Sequence, residues 1–340
     1  MSAISRYKEE LEQELQACFA GREGFLFNLL RYQLGWTDQD GNPEQTGSRA
    51  SFHALLAPAV CEAVSGDIKP SLPVAAAVEL VYHFSLVHGD VQAGRVDAQS
   101  RPSIWWIWGP SQAINAGDGF HAMARVAMMR LGEQGVPPER VLAATEMLDR
   151  SCLAMCEGQF SDLAFQDRLL VTTGEYDDMI ALKTGALTAC AAAGGILAAG
   201  GNDDQLATFR KAGQNLGKAW QISRDVADFW GRCGDGITAS NVLNKKKSLP
   251  LIHALEQAGT SEKRELGTIY MKRVLEGRDM SRVIEIMDST GARAYSEERA
   301  AELVSLAMAA IEGEALEDSH LTGFKQLAKL AVEPASLASD

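Results

Sequence analysis

The sequence lacks an excess of basic residues, and its formal net charge is −13 at pH 7. Nucleic-acid binding needs a basic face that contacts phosphates, and none is visible in the sequence. The acidic residues are instead spread through amphipathic segments, a pattern typical of a solvated surface. We therefore expect no nucleic-acid partner.

Proline is also scarce, with 10 in 340 residues, and no shift in composition marks a linker. Glycine clusters only at helix junctions and in two short runs, at 194–201 and 231–236. A chain of this length with 46% hydrophobic residues can bury one large core. We expect a single domain that spans residues 1–340.

The sequence has no charge-free apolar run of the roughly 18 residues that a membrane-spanning helix needs. The segment 184–201 comes nearest, but it is rich in alanine and glycine. The N-terminus, MSAISRYKEELEQEL, is polar and amphipathic, unlike a secretion signal. The six cysteines lie mostly in apolar, helix-like segments. These features predict a reduced, cytoplasmic protein without a membrane span.

Alternating patterns typical of strands are nearly absent, whereas apolar residues recur at spacings of three and four almost throughout. The segment PVAAAVELVYHFSLV (73–87) is apolar around most of a helix, which indicates a helix buried among others. We predict an all-α bundle of about ten to fifteen helices around a central cavity. Bundles build their sites from side chains on facing helices, so polar residues in the buried segments are the candidates.

Three groups of motifs follow one another along the chain. The first is ELVYHFSLVHGDV (79–91), followed by RPS and AINAGDGF. The second is GQFSDLAF (158–165) with EYDDMIALKTGAL (175–187). The third is LGKAWQISRDVADFWG (216–231) with NKKKSLPLIHALE (244–256). Together they resemble, in order and spacing, the motifs of the isoprenyl diphosphate synthases, the all-α polyprenyl synthetase family.

This resemblance implies a particular chemistry. In the family, two aspartate-rich helices face each other and hold magnesium ions on an allylic diphosphate. A hard cation binds several oxygens, and carboxylates one helical turn apart can share an ion. Departure of the diphosphate leaves an allylic cation, which a double bond then attacks. The partner implied for this chain is an isoprenyl diphosphate.

The first acidic motif of the family corresponds to residues 89–93, which read GDVQA. Its outer positions are Gly89 and Ala93, which would lie one turn apart on one helix face. The carboxylate pair that could share an ion is therefore missing, and only Asp90 remains. The resemblance implies a catalytic and metal-binding role for Asp90.

The second acidic motif corresponds to residues 224–228, which read RDVAD. Asp225 and Asp228 are three residues apart and can share a helix face, and the resemblance implies catalytic and metal-binding roles for both. The resemblance implies magnesium as the cofactor, but the loss of most of the family's ligand positions makes this cofactor doubtful.

The leading acid of this motif is replaced by Arg224, for which we state two hypotheses. The guanidinium takes the place of a metal ion on the substrate, since it binds phosphate through two parallel hydrogen bonds and stays protonated. Alternatively, it forms an internal ion pair with Asp228 and closes the site.

The diphosphate-binding residues are only partly retained. In GSRASF (47–52), Arg49 stays where the family has GKRxRP, but a lysine and a second arginine are replaced by Ser48 and Ser51. The family's paired arginines fall on Ala98 and Gln99. The resemblance implies substrate contacts for the residues that persist, which are Arg49, Gln159, Lys183, Thr184, Gln221 and Lys246.

Two classes of function agree with these residues. Loss of the second diphosphate site disfavours a standard chain elongase, and retention of the lysine–threonine pair favours an enzyme. We expect a non-standard enzyme, either a prenyltransferase to an unusual acceptor or a terpene synthase-like cyclase. The alternative is a noncatalytic regulatory partner subunit of an active synthase. We accordingly expect a homodimer, or a heterodimer with such a synthase.

Overall fold

The computed structural model describes residues 2–44, 50–98, 101–168, 170–231, 240–314 and 316–333. Within these ranges the chain has fourteen α-helices of eight or more residues and two shorter ones. The β-structure assigned to strands in this part of the chain is one antiparallel pair of two-residue strands, β1 (Asp97–Ala98) and β2 (Arg101–Pro102). The predicted all-α fold is confirmed.

The helices have the following bounds. They are α1 (Ala3–Cys18), α2 (Phe25–Gln33), α3 (Phe52–Ser65), α4 (Leu72–Ala93), α5 (Ile104–Trp108), α6 (Pro110–Met129), α7 (Pro138–Gln166), α8 (Thr173–Ile180), α9 (Ala186–Ala199), α10 (Asp203–Trp230), α11 (Ser240–Leu243), α12 (Leu249–Gln257), α13 (Thr260–Met271), α14 (Gly277–Ser289), α15 (Ala292–Glu312) and α16 (Thr322–Leu330). A single π-helical turn (Ala181–Gly185) joins α8 to α9.

The chain divides into two compact units, each built from separate segments of sequence. Unit 1 comprises Met1–Arg150, Cys190–Arg210 and Glu314–Leu327, and unit 2 comprises Ser151–Ala189, Lys211–Gly313 and Ala328–Asp340. The one-domain organisation stays a prediction.

In unit 1, α4 is the central helix and packs extensively against α6 and α3. Its first ten residues, from Leu72 to Val81, are all buried. The buried carboxylate of Glu79 accepts hydrogen bonds from the backbone N–H and the hydroxyl of Ser51. Since Ser51 caps the N-terminus of α3, this contact fixes the start of α3 against α4.

In unit 2, a core of buried side chains links α10, α12, α13 and α14, and its members include Phe229, Leu251, Leu266, Val283 and Ile286. A close helix contact lies beside it. A Cβ at Gly217 on α10 would come within 2.0 Å of the Thr188 hydroxyl oxygen and 3.0 Å of the Gly185 Cα. Glycine at 217 therefore lets α10 approach the start of α9 backbone to backbone.

Two stretches are long and apolar enough to span a membrane by length and composition alone, Lys69–Ala93 and Thr173–Ala199. Of their most apolar windows, 72% and 78% are buried inside the protein. Such burial is that of core helices packed among other helices.

Candidate active site

Asp90 lies in unit 1, in the last turn of α4, and is only 3% exposed. The Nη1 of Arg95 donates to its Oδ1 at 3.2 Å. Burial raises the pKa of Asp90 to about 6, and the charge of Arg95 works in the opposite direction. The surviving acid of the first motif is thus held in an ion pair within its own unit.

Arg101, the next arginine along the chain after Arg95, also has protein partners. Arg101 donates to the backbone carbonyls of Tyr32 and Thr37 and forms an ion pair with Glu44. Arg101 therefore connects the strand pair to the end of α2 and to the segment that follows it. Arg49, which the sequence predicts to contact substrate, lies outside the described residues.

Asp225 lies in unit 2 on α10 and is buried. The hydroxyl of Tyr176 donates to its Oδ2 at 2.7 Å, and the Nε2 of Gln221 donates to its Oδ1 at 3.0 Å. The hydroxyl of Thr184 in turn donates to the Oε1 of Gln221 at 2.7 Å. Burial raises the pKa of Asp225 to about 6, although Tyr176 and the charge of Lys246 oppose this shift.

The flanking residues of the second motif are more open. Arg224 is exposed, and Asp228 is half-buried. No ion pair joins Arg224 to Asp228 in the part of the chain that the structure describes. The guanidinium is thus accessible to solvent, and its role on a diphosphate stays a prediction.

Two lysines of unit 2 converge on one carboxylate. The Nζ of Lys183 donates to the Oδ2 of Asp162 at 2.5 Å, and the Nζ of Lys246 lies 3.5 Å from the same oxygen. Asp162 is 4% exposed. Burial alone would raise its pKa, but the two ammonium groups outweigh burial and lower it. The pKa of Lys183 is lowered by burial and by Lys246, against the pull of Asp162.

The backbone around Lys183 is unusual. Lys183 and Thr184 lie in the π-helical turn, and such turns occur frequently at functional sites. A Cβ at Gly158 on α7 would come within 2.4 Å of the backbone nitrogen of Lys183 and 2.7 Å of its Cα. Glycine at 158 therefore allows the turn to rest against α7, beside the half-buried Gln159 and the carboxylate of Asp162.

Lys246 reaches the same place from a loop. It follows α11 and a tight bend in which Lys245 adopts a φ of 53°, a left-handed conformation rare for residues other than glycine. The retained residues that the sequence predicts on this side, namely Gln159, Lys183, Thr184, Gln221, Asp225 and Lys246, all belong to unit 2.

Sequence reasoning missed two residues of this site. Asp162 stands three residues after Gln159 in the same motif, so the i, i+3 spacing on α7 could have signalled it. Tyr176 precedes Lys183 by seven residues, but the intervening π-helical turn changes the helical phase. No sequence period therefore predicts its contact with Asp225.

The donor atoms do not fit a cluster of magnesium ions. Among the described residues no group of three or more His, Cys, Asp or Glu side chains could hold a metal ion. Both carboxylate oxygens of Asp225 accept hydrogen bonds, and Asp90 is paired with Arg95. Magnesium in phosphate sites is bound through one or two carboxylates together with waters and substrate phosphates, and here both of these carboxylates are already engaged by protein donors.

The all-α fold and the order of the motifs are those of the isoprenyl diphosphate synthases, and known families and relatives give the same class. The family model described as Polyprenyl synthetase matches residues 48–287. The chain belongs to this family.

Similar proteins include a geranylgeranyl diphosphate synthase of Mycobacterium tuberculosis (strain ATCC 25618 / H37Rv). It is 33% identical over 307 residues, covering 89% of this chain and 85% of the relative. A short chain isoprenyl diphosphate synthase of Methanothermobacter thermautotrophicus is 33% identical over 254 residues, covering 74% of this chain and 76% of the relative.

Solved structures give the same class. The polyprenyl synthetase of Streptomyces coelicolor A3(2) superposes with a TM-score of 0.88 at 27% identity, covering 96% of this chain and 98% of that chain. The geranylgeranyl pyrophosphate synthetase of Pyrococcus horikoshii Ot3 gives 0.84 at 28% identity, covering 97% and 98%. The resemblance stated from the motifs is confirmed.

Proposed function

We propose that the protein binds an allylic isoprenyl diphosphate and transfers its prenyl group. The observation that carries this proposal is the convergence of Lys183 and Lys246 on the buried Asp162. The two lysines carry two positive charges against the single carboxylate of Asp162, and they lie beside the hydrogen-bonded row formed by Thr184, Gln221 and Asp225. A diphosphate is the anion that such a site accommodates.

The lysines have a defined part in the reaction. Each ammonium carries three N–H donors, and Lys183 uses one of them on Asp162. The remaining donors are available to diphosphate oxygens. When the bond between the allylic carbon and oxygen breaks, negative charge accumulates on the leaving diphosphate. Cations fixed beside it stabilise that transition state.

The relatives favour isopentenyl diphosphate as the acceptor, because their names describe geranylgeranyl and short-chain isoprenyl diphosphate synthases. We therefore propose elongation of an allylic diphosphate. The unusual acceptor and the cyclisation predicted from the sequence have no support in the comparisons.

A second candidate function is that of a noncatalytic partner subunit. It is favoured by the absence of carboxylates at Gly89, Ala93 and Arg224, three positions where the family's acidic motifs have them. In this case the protein would change the activity of an intact synthase with which it associates.

A direct assay separates these functions. The protein is incubated with labelled geranyl, farnesyl or geranylgeranyl diphosphate, with and without isopentenyl diphosphate, and diphosphate release and chain length are measured. We expect a longer product only when isopentenyl diphosphate is present. Diphosphate release without it would indicate cyclisation or another acceptor. No release, with altered activity of an added intact synthase, would indicate the partner subunit.

Matched variants locate the activity. Lys183→Ala and Lys246→Ala should each lower turnover by about a hundredfold, since each removes a fixed charge from the leaving group. Lys272→Ala removes a lysine from another ion pair of unit 2, with Asp279 at 2.6 Å, and should leave turnover unchanged.

A further inference from the structure

The two acidic motifs of the family correspond to residues 89–93 and 224–228, and all of these residues lie within the described part of the chain. Three positions where the family has acids carry no carboxylate: Gly89 and Ala93 on α4, and Arg224 on α10. No rearrangement of side chains can supply oxygen ligands from these positions.

The two buried aspartates of the motifs already have protein partners. Asp90 accepts from Arg95, and Asp225 accepts from Tyr176 on one oxygen and from Gln221 on the other. The Tyr176 hydroxyl is fully buried with its ring, 1% exposed, so withdrawing it from Asp225 would leave a buried donor unpaired. Ligation of a cation by Asp225 would therefore cost existing hydrogen bonds.

The two lysines of the site are retained, in contrast to the missing carboxylates. Lys183 and Lys246 arrive from different elements, a π-helical turn and a loop, and meet at one carboxylate oxygen. Their side chains are 23% and 29% exposed, whereas that of Asp162 is 6% exposed. The carboxylate is thus shielded from solvent, whereas both lysine side chains are partly exposed.

We infer that the substrate's diphosphate binds directly to the ammonium groups of Lys183 and Lys246, without a bridging divalent cation, and that Asp162 holds these two lysines side by side. This inference rests on the proposed function, since it describes how the same site holds its substrate. Asp162, which lies outside both acidic motifs, is thereby assigned the role of positioning the two lysines.

Calorimetric titration of the full chain with inorganic diphosphate and with geranyl diphosphate tests the inference. Each titration is done in EDTA and again in saturating magnesium chloride. We expect the dissociation constants in the two conditions to agree within about threefold. Binding that appears only with magnesium would overturn the inference and leave the proposed function standing. Absence of binding in both conditions would instead overturn the proposed function.

Variants test the assignment to the lysines in EDTA. Lys183→Ala and Lys246→Ala should each weaken binding by about tenfold or more, because each removes charge-assisted hydrogen bonds. The control Lys272→Ala should not change it. Unchanged binding in both site variants would overturn the assignment.

Two further variants address the role of Asp162. Asp162→Ala removes the oxygen that Lys183 and Lys246 share, so binding in EDTA should weaken, whereas Asp162→Asn keeps an oxygen that accepts from Lys183 and should bind at least as tightly as wild type. Wild-type binding by Asp162→Ala would overturn the positioning role. If Asp162 were a metal ligand, Asp162→Asn would bind the diphosphate more weakly than wild type in magnesium chloride. Thermal unfolding of each variant shows whether it folds. Where a variant does not fold, the comparison of wild-type binding in EDTA and in magnesium still tests whether a divalent cation is needed.

Discussion

Asp225 is the residue whose environment differs most from the one its motif implies. The motif implies a metal ligand, whereas the structure gives the carboxylate two protein donors, Tyr176 and Gln221. Burial raises its pKa from 3.8 to about 6. Because the native state then holds the proton more tightly than the unfolded state, ionisation of Asp225 opposes folding.

The sign of the pH dependence follows from this shift. A raised native pKa contributes stability that is present below pH 4 and is lost as the pH rises to about 6, by up to about 3 kcal/mol. Asp225→Asn cannot ionise, and its amide oxygen can still accept from one of the two neighbouring donors. We expect its unfolding free energy relative to wild type to increase between pH 4 and pH 6 and then to level off.

Urea unfolding of both proteins at several pH values checks this expectation. Asp67→Asn serves as the control, since it changes an exposed aspartate of unit 1. A difference between Asp225→Asn and wild type that is constant from pH 4 to pH 7 would contradict the raised pKa.

The candidate site residues could be proposed from their motifs, but their hydrogen-bond partners could not. Thr184 and Gln221 stand in retained motifs, and unit 2 joins them in one hydrogen-bonded row with Asp225. The pairing of Asp90 with Arg95 depends on how the chain turns after α4, at Gly94 with a φ of 61°. A pattern of acids and bases in a sequence does not specify such a turn.

The π-helical turn and Gly158 of α7 together determine the position of the Lys183 backbone. Gly158→Ala would bring a Cβ against backbone atoms, which cannot move aside as a flexible side chain can. We expect a loss of roughly 1–3 kcal/mol of stability, as in other overpacked interiors. Diphosphate binding should weaken as well, because Lys183 is displaced from Asp162.

Thermal unfolding and calorimetry measure both effects. Gly89→Ala is a matched control, since Gly89 is also helical but an added Cβ there meets no atom within 4 Å. It should be equal to wild type or up to about 1 kcal/mol more stable, because alanine favours helix over glycine. Equal behaviour of the two variants would refute the close contact at Gly158.

Helix periodicity predicted the helices well, since long apolar segments with spacings of three and four have few other conformations available. It did not predict the π-helical turn. One extra residue in a turn has no signature in composition, and ALKTG is an ordinary helical segment by propensity. The close packing at Gly158 follows from that turn and was equally inaccessible to periodicity.

Helix α4 also allows the missing first motif to be rebuilt. In Gly89→Asp with Ala93→Asp, carboxylates would flank Asp90 on an open surface, because Gly89 has no neighbour within 4 Å and Ala93 is exposed. Acids near a helix C-terminus cost about 0.3–1 kcal/mol each, so the variant should be less stable without metal.

Magnesium should then raise the melting temperature of this variant but not that of wild type, since a ligand stabilises only the state that binds it. The control is Gly89→Asn with Ala93→Asn, which has the same size without the charge. Equal responses of wild type and variant to magnesium would contradict the view that these two positions limit metal binding.

The all-α class predicted from the sequence agrees with the structure. The chain's self-association stays a prediction. Leu153 and Phe160 of α7 are 62% and 75% exposed and lie seven residues apart, on one helix face. Contiguous exposed apolar patches mark interaction sites, and we take these two side chains as the centre of the expected interface.

We expect light scattering to give the mass of a dimer. Leu153→Glu with Phe160→Glu should weaken association by at least about tenfold, because a buried charge opposes it. Met271→Glu, at a residue that is 80% exposed elsewhere in unit 2, should leave the mass unchanged. A monomeric wild type, or a dimer that tolerates the α7 variant, would contradict this face as the interface.

The proposed function requires that Lys183 and Lys246 hold the substrate's diphosphate. A crystal structure of the protein with geranyl diphosphate tests it most directly. We predict diphosphate oxygens within about 3.2 Å of the Nζ atoms of both lysines. A diphosphate bound at another place, with the two lysines still paired only with Asp162, would contradict the claim.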